Sequence, residues 1–168
     1  MQMIINSTRV GTIEVQEQDL IHFPAGVVGL PDWQDAVIVP VPDLPLFAWL
    51  QFTHDPDAAF LLLDVQALYP DYNCDLARQQ AGAHQTATVF TIVKVPNGDF
   101  SQTTTNLMGP IVIQPPASSD QRLETSDKPQ ETSDNRQATS DKRLGTQVII
   151  HDSNYPMRHP LFAGETAC

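Results

Sequence analysis

The sequence predicts a mainly β, barrel-like single domain with at most one or two short helices. Three observations carry that expectation. The apolar runs are short, and several alternate with polar residues as half-buried strands do. Turn-forming residues separate those runs. Fourteen prolines punctuate the 168 residues, leaving little room for long helices.

Taken in order, Val10 to Val15 (VGTIEV) and Leu20 to Phe23 (LIHF) are strand candidates, and Pro24-Ala25-Gly26 turns the chain after the second. Ala36 to Pro40 (AVIVP) stops at a proline, as an edge or terminal strand can. Phe47 to Phe52 (FAWLQF) and Phe60 to Asp64 (FLLLD) flank His54-Asp55-Pro56-Asp57, a turn sequence. Asp75 to Ala83 (DLARQQAGA) is the one fair helix candidate, with Asp75 placed to cap it. Thr86 to Val95 (TATVFTIVKV) is the longest strand candidate, and Pro96-Asn97-Gly98-Asp99 turns the chain after it. Ile111 to Ile113 and Gln147 to Ile150 complete the set. Of the aromatics, Phe47, Trp49, Phe60 and Phe90 fall within strand runs and are expected to pack in the core.

One segment departs from this pattern. Ser119 to Thr146 is four consecutive seven-residue units, SDQRLET, SDKPQET, SDNRQAT and SDKRLGT. The period is that of a coiled coil, but a seam needs two apolar positions per unit. Only Leu123 and Leu144 are large and apolar here, and Pro129 would interrupt a helix. The expectation is a disordered surface insertion over 114–146, grown by tandem duplication. The folded domain is then 1–113 with 147–163, and 164–168 forms a flexible C-terminal end.

The net charge of −11 is unevenly spread. Residues 114–146 hold six acids and five bases, so the rest carries fourteen acids against Arg9, Arg78, Lys94 and Arg158 alone. A surface this acidic repels phosphate backbones, which argues against direct nucleic-acid binding. It suits a basic partner, and it also serves solubility.

Chemistry-bearing motifs are scarce. The five histidines have no zinc-ligand spacing, and Cys74 and Cys168 form neither a CxxC pair nor a disulfide framework. His151-Asp152-Ser153 has the letters of a hydrolase triad, but neighbouring residues cannot adopt its geometry, and no GxSxG elbow occurs. Nucleotide-binding glycine loops are missing too. No catalysis, no cofactor and no metal are expected. No run of about 20 apolar residues suggests a membrane helix. Met1-Gln2-Met3-Ile4-Ile5-Asn6 has neither the basic leader nor the apolar stretch of a signal peptide, so a cytoplasmic protein is expected. Tyr69, Tyr72 and Tyr155 lie outside the strand runs in Pro- and Asp-rich segments, a setting common at protein interfaces.

Five stretches together resemble the FliW family. They are Asp19 to Leu30 (DLIHFPAGVVGL); Phe47-Ala48-Trp49-Leu50-Gln51 with Asp55-Pro56 and Ala59-Phe60; Tyr69-Pro70-Asp71-Tyr72 with Asp75-Leu76; Thr104 to Ile113 (TTNLMGPIVI); and Gln147 to Ile150 with Tyr155 and Arg158-His159-Pro160-Leu161. The family pattern has proline where Val28 stands and alanine where Gly109 stands, and a short link where this chain carries its repeat. The resemblance implies a β-barrel-like flagellar assembly factor that binds proteins. One implied partner is flagellin before export; the other is CsrA, a small basic RNA-binding repressor of flagellin translation. Capture of CsrA away from its RNA-binding surface would make the antagonism allosteric. Two alternatives are a flagellin chaperone without a regulatory role and a small β-barrel ligand-binding module. The matched motifs nominate Tyr69, Asp71, Tyr72, Asn106, Tyr155, Arg158, His159 and Leu161 as partner contacts. Asn106 equally suits a turn-stabilising role, and Arg158-His159 a role in closing the barrel.

Overall fold

The computed structural model describes residues 2–115, 143–151 and 154–161. Among them are eleven strands and two α-helices: β1 Gln2–Ser7, β2 Gly11–Gln16, β3 Ile21–His22, β4 Asp35–Pro40, β5 Phe47–Phe52, β6 Ala59–Asp64, α1 Val65–Leu68, α2 Cys74–Gln80, β7 Thr88–Lys94, β8 Thr104–Thr105, β9 Ile111–Ile113, β10 Arg143–Gln147 and β11 His159–Pro160. The mainly β expectation is met.

Seven of the strands close on themselves. β3 pairs with β4, β4 with β5, β5 with β6, β6 with β7, β7 with β9 and β9 with β10, all antiparallel. β10 then returns to β3 in parallel, with Arg143 opposite Ile21 and Leu144 opposite His22. Closure satisfies edge backbone groups that would otherwise invite another chain.

Strand alternation sorts side chains between the inside and the outer wall. Ile21, Phe23, Ala36, Leu50, Phe52, Leu62, Ile111 and Ile113 fill the interior with almost no solvent exposure, and Trp33, Phe60, Phe90 and Ile92 pack against them. Each fully buried Leu, Ile or Phe contributes roughly 1.5–3 kcal/mol. On the outer wall, Ile5 of β1 and Val15 of β2 cover Val37 of β4, so the β1–β2 hairpin lies on one part of the barrel. Ser7 donates from Oγ to Oε1 of the fully buried Gln51 at 2.6 Å, and Gln51 Nε2 donates onward to Asp55 O and Ala58 O. That network ties the hairpin to the barrel without stranding a buried amide. Elsewhere on the wall, Val65, Tyr72, Cys74, Ala77, Val89, Val112 and Ile150 form a second outer cluster under the helices.

Two tight spots require glycine. At Gly26, with φ at +68°, a Cβ would collide with the Leu30 and Pro31 carbonyls. At Gly145 in β10, a Cβ would stand 2.6 Å from Phe23 Cζ and 2.9 Å from Ile21 Cγ2, both interior side chains.

Four expectations need correction. The last barrel strand is Arg143–Gln147, not Gln147 to Ile150. Its pairing with β3 and β9 recruits the end of the fourth repeat unit, so Arg143 to Thr146, inside the segment expected to be disordered, belong to a barrel strand. The helix is Cys74–Gln80, and Asn73 caps it by accepting from Leu76 N at 3.0 Å; Asp75 instead pairs with Arg78 at 2.9 Å. β1 was not anticipated, because Met3-Ile4-Ile5 is a short apolar run without apolar–polar alternation, and one of its two buried positions is the polar Ser7. Phe47 and Trp49 are half-buried on the outer wall, since the interior residues of β5 are Leu50 and Phe52. The expectations for 116–142 and 164–168 lie outside the described residues. Among the described residues no helix is long and apolar enough to cross a membrane.

Candidate partner-binding surface

The segment after β6 is built from short caps and turns. Asp64 caps α1 by accepting from Ala67 N, and Tyr72 N then donates to Tyr69 O at 3.0 Å, closing a turn through Pro70-Asp71. This turn sends Tyr72 inward and leaves Asp71 exposed. The Tyr72 ring packs in the second outer cluster, and its hydroxyl donates to Leu107 O at 2.6 Å. Burial pushes the Tyr72 phenol well above its ordinary value, helped by the neighbouring Tyr155 and Cys74. Burial also pushes up the Cys74 thiol.

The C-terminal segment is stitched across this turn. Tyr155 stacks on Tyr72 with centroids 4.6 Å apart, and its hydroxyl accepts from Asn73 N at 2.9 Å. Leu107 N donates to Pro156 O at 3.0 Å. β11 then pairs with β8, setting His159 opposite Thr105, and the His159 ring meets Tyr69 edge-on at 5.1 Å.

The eight nominated residues therefore fall into different roles. Tyr69 joins His159, and Tyr72 joins Tyr155. Asn106 and Arg158 line one shallow recess of about 210 Å³ with Lys94 and Met157. Leu161 stands apart, donating from its backbone to Thr103 O at 3.0 Å. Tyr72 is 6% exposed, so its work is positional. Asn106 Oδ1 accepts from Met108 N and Gly109 N, both at 3.0 Å, and holds the turn after β8. What this face offers a partner is Asp71, Arg158, the half-exposed edges of Tyr69 and His159, and the exposed apolar side chains of Leu68 and Met157.

Sequence reasoning missed a second feature. Phe47 and Trp49 of β5, Leu61 of β6 and Val93 of β7 floor an apolar recess of about 190 Å³ on the outer wall. Val41 and Leu44 wall it on one side; Val95, Phe100 and Thr103 wall it on the other. Leu44 and Phe100 are 44% and 63% exposed. The Arg9 guanidinium sits over the Trp49 ring at 5.5 Å. The signal was present in the pattern: once Leu50 and Phe52 face inward, period-2 alternation turns Phe47 and Trp49 outward. Among the described residues no three His, Cys, Asp or Glu side chains are arranged to hold a metal.

Comparison with known proteins decides the family. The model of the FliW protein family matches residues 4–134, more than half of the chain. The chain belongs to the FliW family. A flagellar assembly factor FliW of Moorella thermoacetica is 34% identical over 165 residues, covering 95% of this chain and 89% of that protein. The FliW of Natranaerobius thermophilus is 30% identical over 165 residues, covering 95% and 93%. A crystal structure of the flagellar assembly factor FliW superimposes with a TM-score of 0.66 at 25% identity, covering 95% of this chain and 97% of that one. This chain is thus a flagellar assembly factor of the FliW type, with the FliW fold. Its departure at Val28 has a structural use: the Val28 N–H donates to Gln147 Oε1 at 2.9 Å, while Gln147 Nε2 donates to Gly109 O. Proline at that position has no N–H to give.

Proposed function

We propose that the chain acts in the cytoplasm by binding two proteins in turn, flagellin before export and the basic RNA-binding repressor CsrA. Capture of CsrA at a site away from its RNA-binding surface relieves repression of flagellin translation allosterically. The protein works by recognition, without catalysis, and does not touch the RNA. The observation that carries this reading is the FliW family match along nearly the whole chain. Charge supports it: the described residues hold twelve acids against five bases, a balance that attracts a basic partner and speeds its encounter. With a screening length of about 8 Å at physiological salt, only acids at the contact itself act in the final complex.

The test is size-exclusion chromatography with purified flagellin and purified CsrA, joined to a gel shift of CsrA on flagellin leader RNA. The chain is expected to co-elute with each protein and to release the RNA from CsrA without shifting RNA itself. Elution apart from both proteins would end this reading.

A further inference from the structure

We propose that the apolar recess on the outer wall is an anchor pocket for one large aliphatic or aromatic side chain of a protein partner, presented beside a lysine or arginine. The inference rests on the binding function proposed above and adds the place and chemistry of a contact.

Size comes first. At about 190 Å³ the recess is smaller than the 300–1,000 Å³ sites that hold drug-sized ligands or cofactors. It is close to the roughly 150 Å³ apolar cavity that accepts benzene in an engineered protein. One ring or one branched aliphatic group fits.

Surroundings come next. The hairpin cluster covers Val37 and Val39, and the helical cluster covers Val89 and Val112. Trp49, Leu61 and Val93 lie between these regions and form the open floor. The exposed Leu44 and Phe100 stand at opposite sides of that floor, an apolar rim of the kind that marks a protein contact. A deep apolar anchor inside such a rim is the common form of a binding hot spot.

Charge then selects the neighbour of the anchor. Asp43 directly precedes Leu44 and Asp99 directly precedes Phe100, and both are exposed. Hydrogen bonds from Ser101 N and Oγ hold the Asp99 carboxyl below its usual range, so it stays ionised. Arg9, over the Trp49 ring at 5.5 Å, keeps its positive charge but does not line the recess, whereas the two carboxylates directly precede its rim residues. An incoming Lys or Arg is therefore drawn to this rim, and an acid is repelled.

Thr103 supplies a second, independent pointer. It lines the recess and is 3% exposed, yet its Oγ1 has no hydrogen-bond partner among the described residues. Buried hydroxyls are ordinarily satisfied. A rotation about χ1 exchanges the threonine methyl and hydroxyl. A carbonyl of an inserted segment would then accept the hydroxyl hydrogen.

The experiment titrates full-length chain with N-acetyl-phenylalanyl-lysine amide, following the methyl signals of Leu44, Leu61 and Val93 by NMR. The Phe–Lys peptide is expected to shift all three saturably, at millimolar concentrations. The Phe–Glu analogue should bind about threefold more weakly, as one exposed charge pair dictates. The Ala–Lys analogue should leave the methyls in place. Thr103→Val should raise Tm, by removing an unsatisfied hydroxyl, while weakening the Phe–Lys peptide; a purely structural threonine would not do the second. In the partner assay, Phe100→Ser and Leu44→Ser, both at exposed positions, should lower affinity for at least one of flagellin and CsrA about tenfold at unchanged Tm. Methyls that ignore the Phe–Lys peptide, equal responses to Phe–Lys and Ala–Lys, or rim variants with wild-type affinity for both partners would each overturn the pocket and leave the binding function standing. A wild-type chain that binds neither protein would instead sink the function, and the peptide titration alone would then decide the pocket.

Discussion

The inside of the barrel and its outer wall are made from the same strands, yet they are completed differently. Inside, a single contiguous cluster forms because every second residue of β4, β5, β6, β7 and β9 points to one axis. Outside, the intervening residues find cover from separate, distant pieces: the β1–β2 hairpin over Val37, and the helices and C-terminal segment over Val89 and Val112. One piece of the wall, at Trp49 and Leu61, stays open. A closed barrel thus needs its interior for folding and has its exterior free for recognition. The two neighbours Leu62 and Leu61 stand on either side of that division.

They give the sharpest way to break it. Leu62→Ala should cost about 3 kcal/mol, the transfer of a fully buried side chain plus the cavity it leaves. Leu61→Ala, at a half-buried site, should cost only about 1 kcal/mol. Urea denaturation of both variants measures the difference, and equal losses would mean that the wall is as much core as the interior. Next in size is Gly145→Ala. Its new Cβ presses on Phe23 and Ile21, side chains the interior cannot displace cheaply, so about 2 kcal/mol should be lost. A variant with unchanged urea midpoint would show that β10 is not seated as described.

The same division explains what was legible in the sequence. Phe47–Phe52 and Ile111–Ile113 were read to the residue, because alternation and flanking turns are local signals. β10 was misplaced by four residues, since its partners Ile21 and Ile113 are remote in sequence and the repeat masks its identity. Of the site, the meeting of Tyr69 with His159 and of Tyr72 with Tyr155 was foreseeable only as shared membership of motifs; contact between residues more than 80 positions apart has no local signature. The burial of Tyr72 was not foreseeable at all, because a Pro-Asp turn looks exposed whichever way its last side chain points.

Tyr72 sharpens the comparison at an intermediate scale. Tyr72→Phe keeps the ring in the outer cluster and removes the bond to Leu107 O, so stability should fall by about 1 kcal/mol at neutral pH. The pH dependence carries a sign. Burial raises the folded-state pKa of Tyr72, so the fold holds this proton where the unfolded chain, with a value near 10, begins to release it. The stability it supports is complete below about pH 10 and is lost as pH rises further. Denaturation midpoints of wild type and Tyr72→Phe should therefore converge above pH 10; a gap that stays constant there would place the phenol in solvent.

The smallest effect is expected where the chain looks most unusual. Deleting Ser119 to Thr139 removes three of the four repeat units but keeps Arg143–Gln147, which the barrel uses. It also keeps the contacts that end the β9–β10 pairing, Gln114 N to Leu144 O at 2.8 Å and Arg143 Nε to Gln114 O at 3.0 Å. The remaining link, 115–118 with 140–142, is a quarter of the original length, and at roughly 0.6 kcal/mol per doubling the shorter closure favours the fold by about 1 kcal/mol. The Tm of the deletion variant should stay level or rise slightly, with CsrA binding unchanged. Extending the deletion through Gly145 should instead open the barrel, because it removes Arg143 and Leu144, which pair with β3, and Gly145, which pairs with Ile113 and faces Phe23. A large drop in Tm on the shorter deletion would mean that the repeat takes part in the fold.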